Sequence, residues 1–248
     1  MTTRFTRRQL LVGGSAIGAA GLLGGCDLLE GGPSRGGVYG LSDTLTFATQ
    51  RLLLRDQPLV REFGPGAISE VFPTINTTDP DSPDYQRSRA QGFADWRLRV
   101  SGLVERPASV SLAELRAMPA RTQITLHACE QGWSAIGGWT GVQLSHLLAS
   151  VGLKSEARFI VIRTVDGWWD SYDLFDALHP QTILAYGMNG GDLPVAHGAP
   201  VRLRVERQLG YKSLKYLTSV EAVAAVDRLG TGRGSMLSEL GFAWYAGI

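Results

Sequence analysis

The sequence predicts an α+β domain built on a mixed sheet, and three observations carry that prediction. Short stretches alternate apolar and polar side chains at the period of a strand, as at Trp96–Gly102, Arg121–Leu126 and Val201–Val205. The helical signals among them are short. No regular βαβ rhythm connects the two, which argues against a purely parallel sheet. At 248 residues, 44% hydrophobic and 19% charged, the chain can bury one good core, so one domain plus an appendage is expected. A formal net charge of +1, with no basic run among aromatics, excludes nucleic acid as an electrostatic partner.

The N-terminus reads as an address. Residues 4–26 are RFTRRQLLVGGSAIGAAGLLGGC, and the run Leu10–Gly25 is too short and glycine-rich for a membrane-spanning helix. Thr6–Leu11, with Arg7 and Arg8, resembles the twin-arginine signal of proteins exported already folded. Leu23–Cys26 resembles a bacterial lipobox, and Asp27 resembles the signal that retains such lipoproteins at the inner membrane. Residues 1–25 are therefore expected to be a signal peptide. The chain is expected in the periplasm or on the extracytoplasmic face of the inner membrane, lipid-anchored through Cys26. Cys129 is then the sole remaining thiol in an oxidising compartment, where burial or metal ligation lets it persist.

Residues 26–70 are expected to form a tether and an N-terminal arm. Asp27–Ser42, with Gly31-Gly32-Pro33 and Gly36-Gly37, reads as a flexible tether. Leu52–Phe63 suits either a short helix or an extended arm. The catalytic domain is expected over 71–226, and it opens on the turn-forming loop FPTINTTDPDSP (72–83), which contains Asn76. Trp96, Leu98 and Val100 alternate with Arg97 and Arg99 in a strand closed by Gly102. Ser111-Leu112-Ala113-Glu114 is a capping box opening a helix that stops before Pro119. Gln123, Thr125 and His127 alternate with Ile124 and Leu126 in the strand feeding Cys129. Leu144, Leu147, Leu148 and Val151 share a helical face ended by Gly152. Arg158–Arg163 is a further strand, with Thr164 directly after it. Asn189-Gly190 signals a hairpin, and Val220–Val226 is the expected last core strand. Residues 227–248 are expected as a C-terminal tail.

Cys129 opens the stretch best suited to chemistry. It leads into an expected loop with Gly132, Gly137, Gly138 and Gly141 and with Trp133 and Trp139. A thiol at a strand end above glycine-rich backbone suits a metal or a reactive centre; a buried structural cysteine is the alternative. Zinc needs three or four protein ligands, and no Cys-x-x-Cys or His-x-x-x-His accompanies His127 and Cys129. A cupredoxin needs His and Met closely downstream, and neither follows. A Cys–His nucleophile pair has nothing to select among the four histidines; His146 is expected at the surface of the following helix.

A second constellation runs from His197 through Arg202 and Arg204 to Gly210-Tyr211-Lys212-Ser213-Leu214-Lys215. Two arginines on one strand face, with two lysines and open glycine backbone nearby, suit a phosphate or another anion. A solvated strand face is the alternative.

Together these residues resemble the molybdopterin-dependent oxidoreductases of the sulfite oxidase fold, including the catalytic subunits of periplasmic protein-methionine-sulfoxide reductases. The likeness runs from about Asn76 to Val226, and Gly241–Gly247 (GFAWYAG) is also similar. Cys129, Trp133, Ser134, Trp139 and Gly141 match the family's cysteine loop in type and spacing. The resemblance implies molybdenum and molybdopterin as cofactor, with Cys129 as the catalytic residue and the single protein thiolate on the metal. It implies cofactor contacts from Asn76 and Thr164, and a phosphate anchor from His197, Arg202, Ser213, Leu214 and Lys215. Trp133 and Trp139 are expected as pocket walls or as core.

The function so implied is oxygen-atom transfer that reduces a small or protein-bound sulfoxide, such as methionine sulfoxide. Sulfite oxidation and a non-catalytic anion-binding lipoprotein are the alternatives. No haem-ligand motif is present, so a separate membrane haem carrier is the expected electron partner. The chain lacks the length for the sulfite oxidases' extra C-terminal dimerisation domain, which implies a monomer. Two departures bear on the substrate. The reductases commonly carry an acid two residues after the cysteine, where this chain has Gln131 with Glu130 beside it. His197 is more like the sulfite oxidases, yet the arginines that follow their cysteine are absent from EQGWSAIGG.

Overall fold

The computed structural model describes residues 37–56 and 58–248, with side chains from Leu41 onward. The expected export and lipidation signals, with Arg7, Arg8 and Cys26, lie outside the described residues.

Two sheets make the domain. In the first, β1 (Arg97–Gly102) pairs antiparallel with β2 (Ala108–Ser111) and parallel with β10 (Leu217–Val223). β10 continues antiparallel to β5 (Phe159–Thr164), and β5 to β6 (Trp169–Asp173). One parallel pair among antiparallel ones makes this sheet mixed, as the absence of a βαβ rhythm predicts. The second sheet, antiparallel throughout, orders β3 (Ala120–Ala128), β4 (Ser134–Gln143), β7 (Ile183–Met188) and β8 (Gly191–Asp192), with β9 (Arg202–Arg204) also paired to β7. Asn189 and Gly190 turn β7 into β8 at φ 50° and 84°, the positive pair that a tight hairpin requires.

Local signals place the remaining elements, which include the short helices α2 (Pro83–Ala90) and α5 (Leu174–Ala177). Ser111 Oγ accepts from the Glu114 amide at 3.1 Å and Glu114 accepts from the Ser111 amide at 2.8 Å, so the capping box opens α3 (Leu112–Ala117). α4 (Leu144–Val151) inserts its predicted leucine face into a core that joins both sheets, with Leu98, Val100 and Val220 from one and Leu184 and Leu203 from the other. A second cluster covers the far face of β5, where Phe159 and Val161 meet Phe47, Val226, Trp244 and Tyr245. β5 is thus buried on both faces, which is why FIVIR runs apolar without alternation. Residues 227–248 pack into this cluster and also form the short helix α6 (Met236–Glu239).

Several expectations change. The tether read over Asp27–Ser42 is helical from Gly37: α1 spans Gly37–Leu53, because docking of Phe47 and Arg51 outweighs the weak helix propensity of its glycines. After α1 the chain is an extended arm, with Glu62 bridging Thr125 and the Phe63 amide on the Ile124 carbonyl at 2.9 Å. The glycine-rich stretch after Cys129 is not a loop but β4. A Cβ at Gly141 would stand 2.1 Å from the Leu184 carbonyl oxygen, so glycine here serves close strand packing. The last core strand begins at Leu217 and ends at Val223, three residues earlier than the sequence suggests at each end.

Candidate active site

Cys129 sits in the tight turn between β3 and β4. Its amide donates to the Trp133 carbonyl at 2.9 Å, and the Gly132 amide returns to the Cys129 carbonyl at 3.1 Å. The turn needs Gly132 at φ 88°. Cys129 is buried, with Sγ 3.4 Å from Glu130 Oε2, and burial pushes its thiol above the ordinary value. The Gln131 amide opposes that shift, and the Glu130 carboxylate adds to it.

β3 carries its polar side chains inward. Gln123, Thr125 and His127 are buried while Leu126 is 42% exposed, the reverse of a strand with an apolar buried face. The reason is a buried charge network. Arg204 holds Glu206 through two bonds of 3.0 and 2.7 Å, and Gln123 adds a third contact to that carboxylate at 2.9 Å. Arg204 also donates to His127 Nδ1 at 2.7 Å. Burial first, then Arg204, Arg202 and His197, hold the His127 pKa down at about 2, so the ring is neutral with its proton on Nε2. Beneath this network Trp139 is fully buried, its ring 4.4 Å from the Arg204 guanidinium and 4.9 Å from that of Arg202. Trp139 is therefore core, whereas Trp133 lines the neighbouring cleft.

That cleft is open to solvent. The structure brings Asn76, His127, Trp133, His197, Arg202, Ser213, Leu214 and Lys215 together on its walls. Cys129 does not itself line the cleft; it lies between His127 and Trp133 in the chain. Thr164 is also set back: its hydroxyl contacts Asp166 (2.5 Å) and the Trp168 carbonyl (3.0 Å), and these two residues face the cleft.

The four cations of the second constellation separate into two kinds. Arg204 is committed to Glu206, and Lys212 is buried against Asp170 beneath the Tyr172 ring. Arg202 is different. It is 5% exposed and, among the described residues, bonds only carbonyls, those of His197 (3.0 Å) and Ser213 (2.9 Å), and its Nε has no partner. Burial and the neighbouring Arg204 bring its pKa down to about 9. A buried guanidinium without a carboxylate favours an anionic ligand strongly. Lys215 Nζ gathers the carbonyls of Ile75 (2.8 Å), Thr77 and Ala196 (3.3 Å), and the Tyr216 hydroxyl sits between those of Thr77 (3.0 Å) and Val195 (2.8 Å). Together they pin Asn76, at φ 55°, to the turn that carries His197. His197 itself is held at a pKa of about 4 by burial, Arg202 and Lys215, so it is neutral.

Sequence reasoning did not single out Phe72, Asp166, Trp168 or Leu237, which also line the cleft. Phe72 lies in the same loop as Asn76, and its ring packs edge-on to Trp133, Trp139 and His197. Leu237 comes from α6, beyond the expected domain.

Residues 85–228 match the family described as the oxidoreductase molybdopterin binding domain. A protein of Azospira oryzae provisionally named protein-methionine-sulfoxide reductase subunit YedZ1 is 31% identical over 97% of this chain and 87% of its own length. The protein-methionine-sulfoxide reductase catalytic subunit MsrP of Xanthomonas campestris is 31% identical over 59% of this chain, a match that spans half of that protein. Among solved structures, the sulfane dehydrogenase SoxCD of Paracoccus pantotrophus superposes with a TM-score of 0.50 and 26% identity, over 53% of this chain and 39% of that one. By the family match the chain belongs to the oxidoreductase molybdopterin-binding domains: it is a molybdenum-dependent oxidoreductase of the sulfite oxidase type of α+β fold, with molybdopterin as its cofactor.

Proposed function

We propose that this chain is a periplasmic oxygen-atom transferase that reduces sulfoxides such as methionine sulfoxide, with Cys129 as the protein thiolate on molybdenum. The residues present fit that cofactor. Among the described residues no three His, Cys, Asp or Glu side chains cluster to hold a metal, so the remaining ligands must arrive with the cofactor. Arg202, buried and without a carboxylate, suits the cofactor's phosphate, and the absent Cβ of Gly210 keeps the same wall open: a methyl there would stand 2.3 Å from His127 Nε2. The observation that carries the reading is this Arg202 anion seat in the cleft next to the Cys129 turn.

When bound, the cofactor supplies two-electron oxygen-atom transfer. This chain does the rest. Cys129 loses its proton on ligation, which offsets the burial that raises its thiol. Asn76, Thr164, His197, Arg202, Ser213, Leu214 and Lys215 hold the cofactor, Thr164 through the position it gives Asp166 and Lys215 through the loop it gathers. Neutral His127 offers a fixed Nε2–H on the cleft wall. The aromatic walls Phe72, Trp133 and Trp168 favour an apolar sulfoxide over a hydrated dianion. The turn from Cys129 to Trp133 carries no cation, which further disfavours sulfite. The net reaction takes up two electrons and two protons and converts the sulfoxide to its thioether and water; the electrons come from a separate membrane haem carrier. Residues 1–25 direct export by the twin-arginine route, Cys26 is lipidated, and the catalytic unit works as a monomer.

The test is turnover by the exported, molybdenum-loaded protein. Reduced viologen dye should be oxidised on addition of methionine sulfoxide, and sulfite with ferricyanide should give none. Sulfite turnover without sulfoxide turnover would overturn the reading.

A further inference from the structure

Helix α1 has two faces with different fates. Phe47 and Arg51 turn inward, where Arg51 bonds Asp173 at 2.6 Å and Asp176 at 3.0 Å. On another face stand Leu41, Leu45 and Leu52, which are 60%, 51% and 57% exposed. Their spacing of four and seven residues puts them within about 40° of one another on the helix. Ala48 lies on the same line, so the face is an apolar stripe along the helix with no charged residue on it. The cation of α1, Arg51, is consumed on the inner face.

The position of this stripe identifies what covers it. Gly37 follows Cys26 by eleven positions, so α1 begins within roughly 40 Å of that cysteine even at full extension. A lipid on Cys26 would keep the stripe within reach of a bilayer surface. No described helix is long and apolar enough to cross a membrane, so α1 can lie on the bilayer but not span it. We propose that the Leu41, Leu45 and Leu52 face of α1 docks onto the phospholipid bilayer that holds Cys26. The inference rests on the reading of residues 1–26 as an export and lipidation signal. Docking would also orient the cleft, because Asp176, which receives Arg51, also receives Gln208 at 2.6 Å and Arg207, just ahead of the Gly210–Lys215 wall.

The experiment uses the full exported chain in vesicles of phosphatidylethanolamine and phosphatidylcholine, with a fluorescent side chain genetically encoded at position 45 or at position 46, on different faces of the same helix. The expected result is quenching at 45 by nitroxide on the lipid tails, with iodide quenching at least several-fold weaker than at 46. Equal access of iodide to both positions would overturn the proposal. Shielding at 45 from iodide without quenching by the lipid nitroxide would also overturn it, by showing that a second copy covers the face. The intact mass reports separately whether Cys26 carries lipid, so failed docking on a lipidated chain is distinct from failure of the anchor.

Discussion

Arg204 Nη1 lies 2.7 Å from His127 Nδ1 while the same guanidinium grips Glu206, so one arginine fixes both the charge network under the cleft and the tautomer of a cleft residue. Replacing Arg204 by leucine leaves Glu206 buried with only Gln123 for company. The expected loss is about 3–5 kcal/mol of stability, read by urea unfolding. Adding Glu206→Leu should recover much of it, because the uncompensated charge goes too.

His197 makes stability depend on pH. Its folded pKa of about 4 lies below the ordinary 6.5, so the unfolded chain takes up that proton first as the pH falls. The stability tied to this group is complete above pH 6.5 and is lost as the pH drops toward 4. The metal-free His197→Asn protein should show a flatter Tm between pH 6.5 and 4 than the parent. Parallel curves would refute the assignment.

Gly210 packs against an imidazole. A Cβ there would sit 2.3 Å from His127 Nε2 and 3.2 Å from the Ala128 carbonyl oxygen. Gly210→Ala should cost about 1–3 kcal/mol through overpacking. Because the displaced ring lines the cleft, pterin content per folded chain should fall as well, measured by fluorescence of the released, oxidised pterin.

Much of the framework was legible because its signals are local. Leu98 and Val100 alternate with Arg97 and Arg99 on a half-exposed strand, and the Ser111–Glu114 box closes within four residues. β4 was not legible, since Gly137, Gly138 and Gly141 read as loop until β3 pairs with all three and β7 packs against Gly141. Nor was the inward polar face of β3, whose partner Glu206 is 83 residues from Gln123. At the site, Arg202 and Lys215 stood out by charge near glycine. Their difference from Arg204 and Lys212 did not, because it depends on the distant carboxylate Asp170 and on the burial of Glu206. Asp166 and Leu237 reach the cleft only through tertiary packing.

Arg51 latches α1 to the domain through two carboxylates and the rings of Phe47, Phe175 and Tyr245. In Arg51→Ala the amides of α1 should exchange hydrogen at least tenfold faster while β5 and β10 keep their protection. A uniform rise across the sheets would show instead that the latch supports the whole domain.

The central claim is that Cys129 holds the metal, and X-ray absorption at the molybdenum edge tests it most directly. Parent and Cys129→Ser proteins are loaded in the same host and compared at equal molybdenum content. The account predicts one sulfur neighbour fewer around molybdenum in the variant, together with loss of sulfoxide turnover. An unchanged sulfur count with undiminished turnover would contradict it and leave Cys129 as a buried core residue.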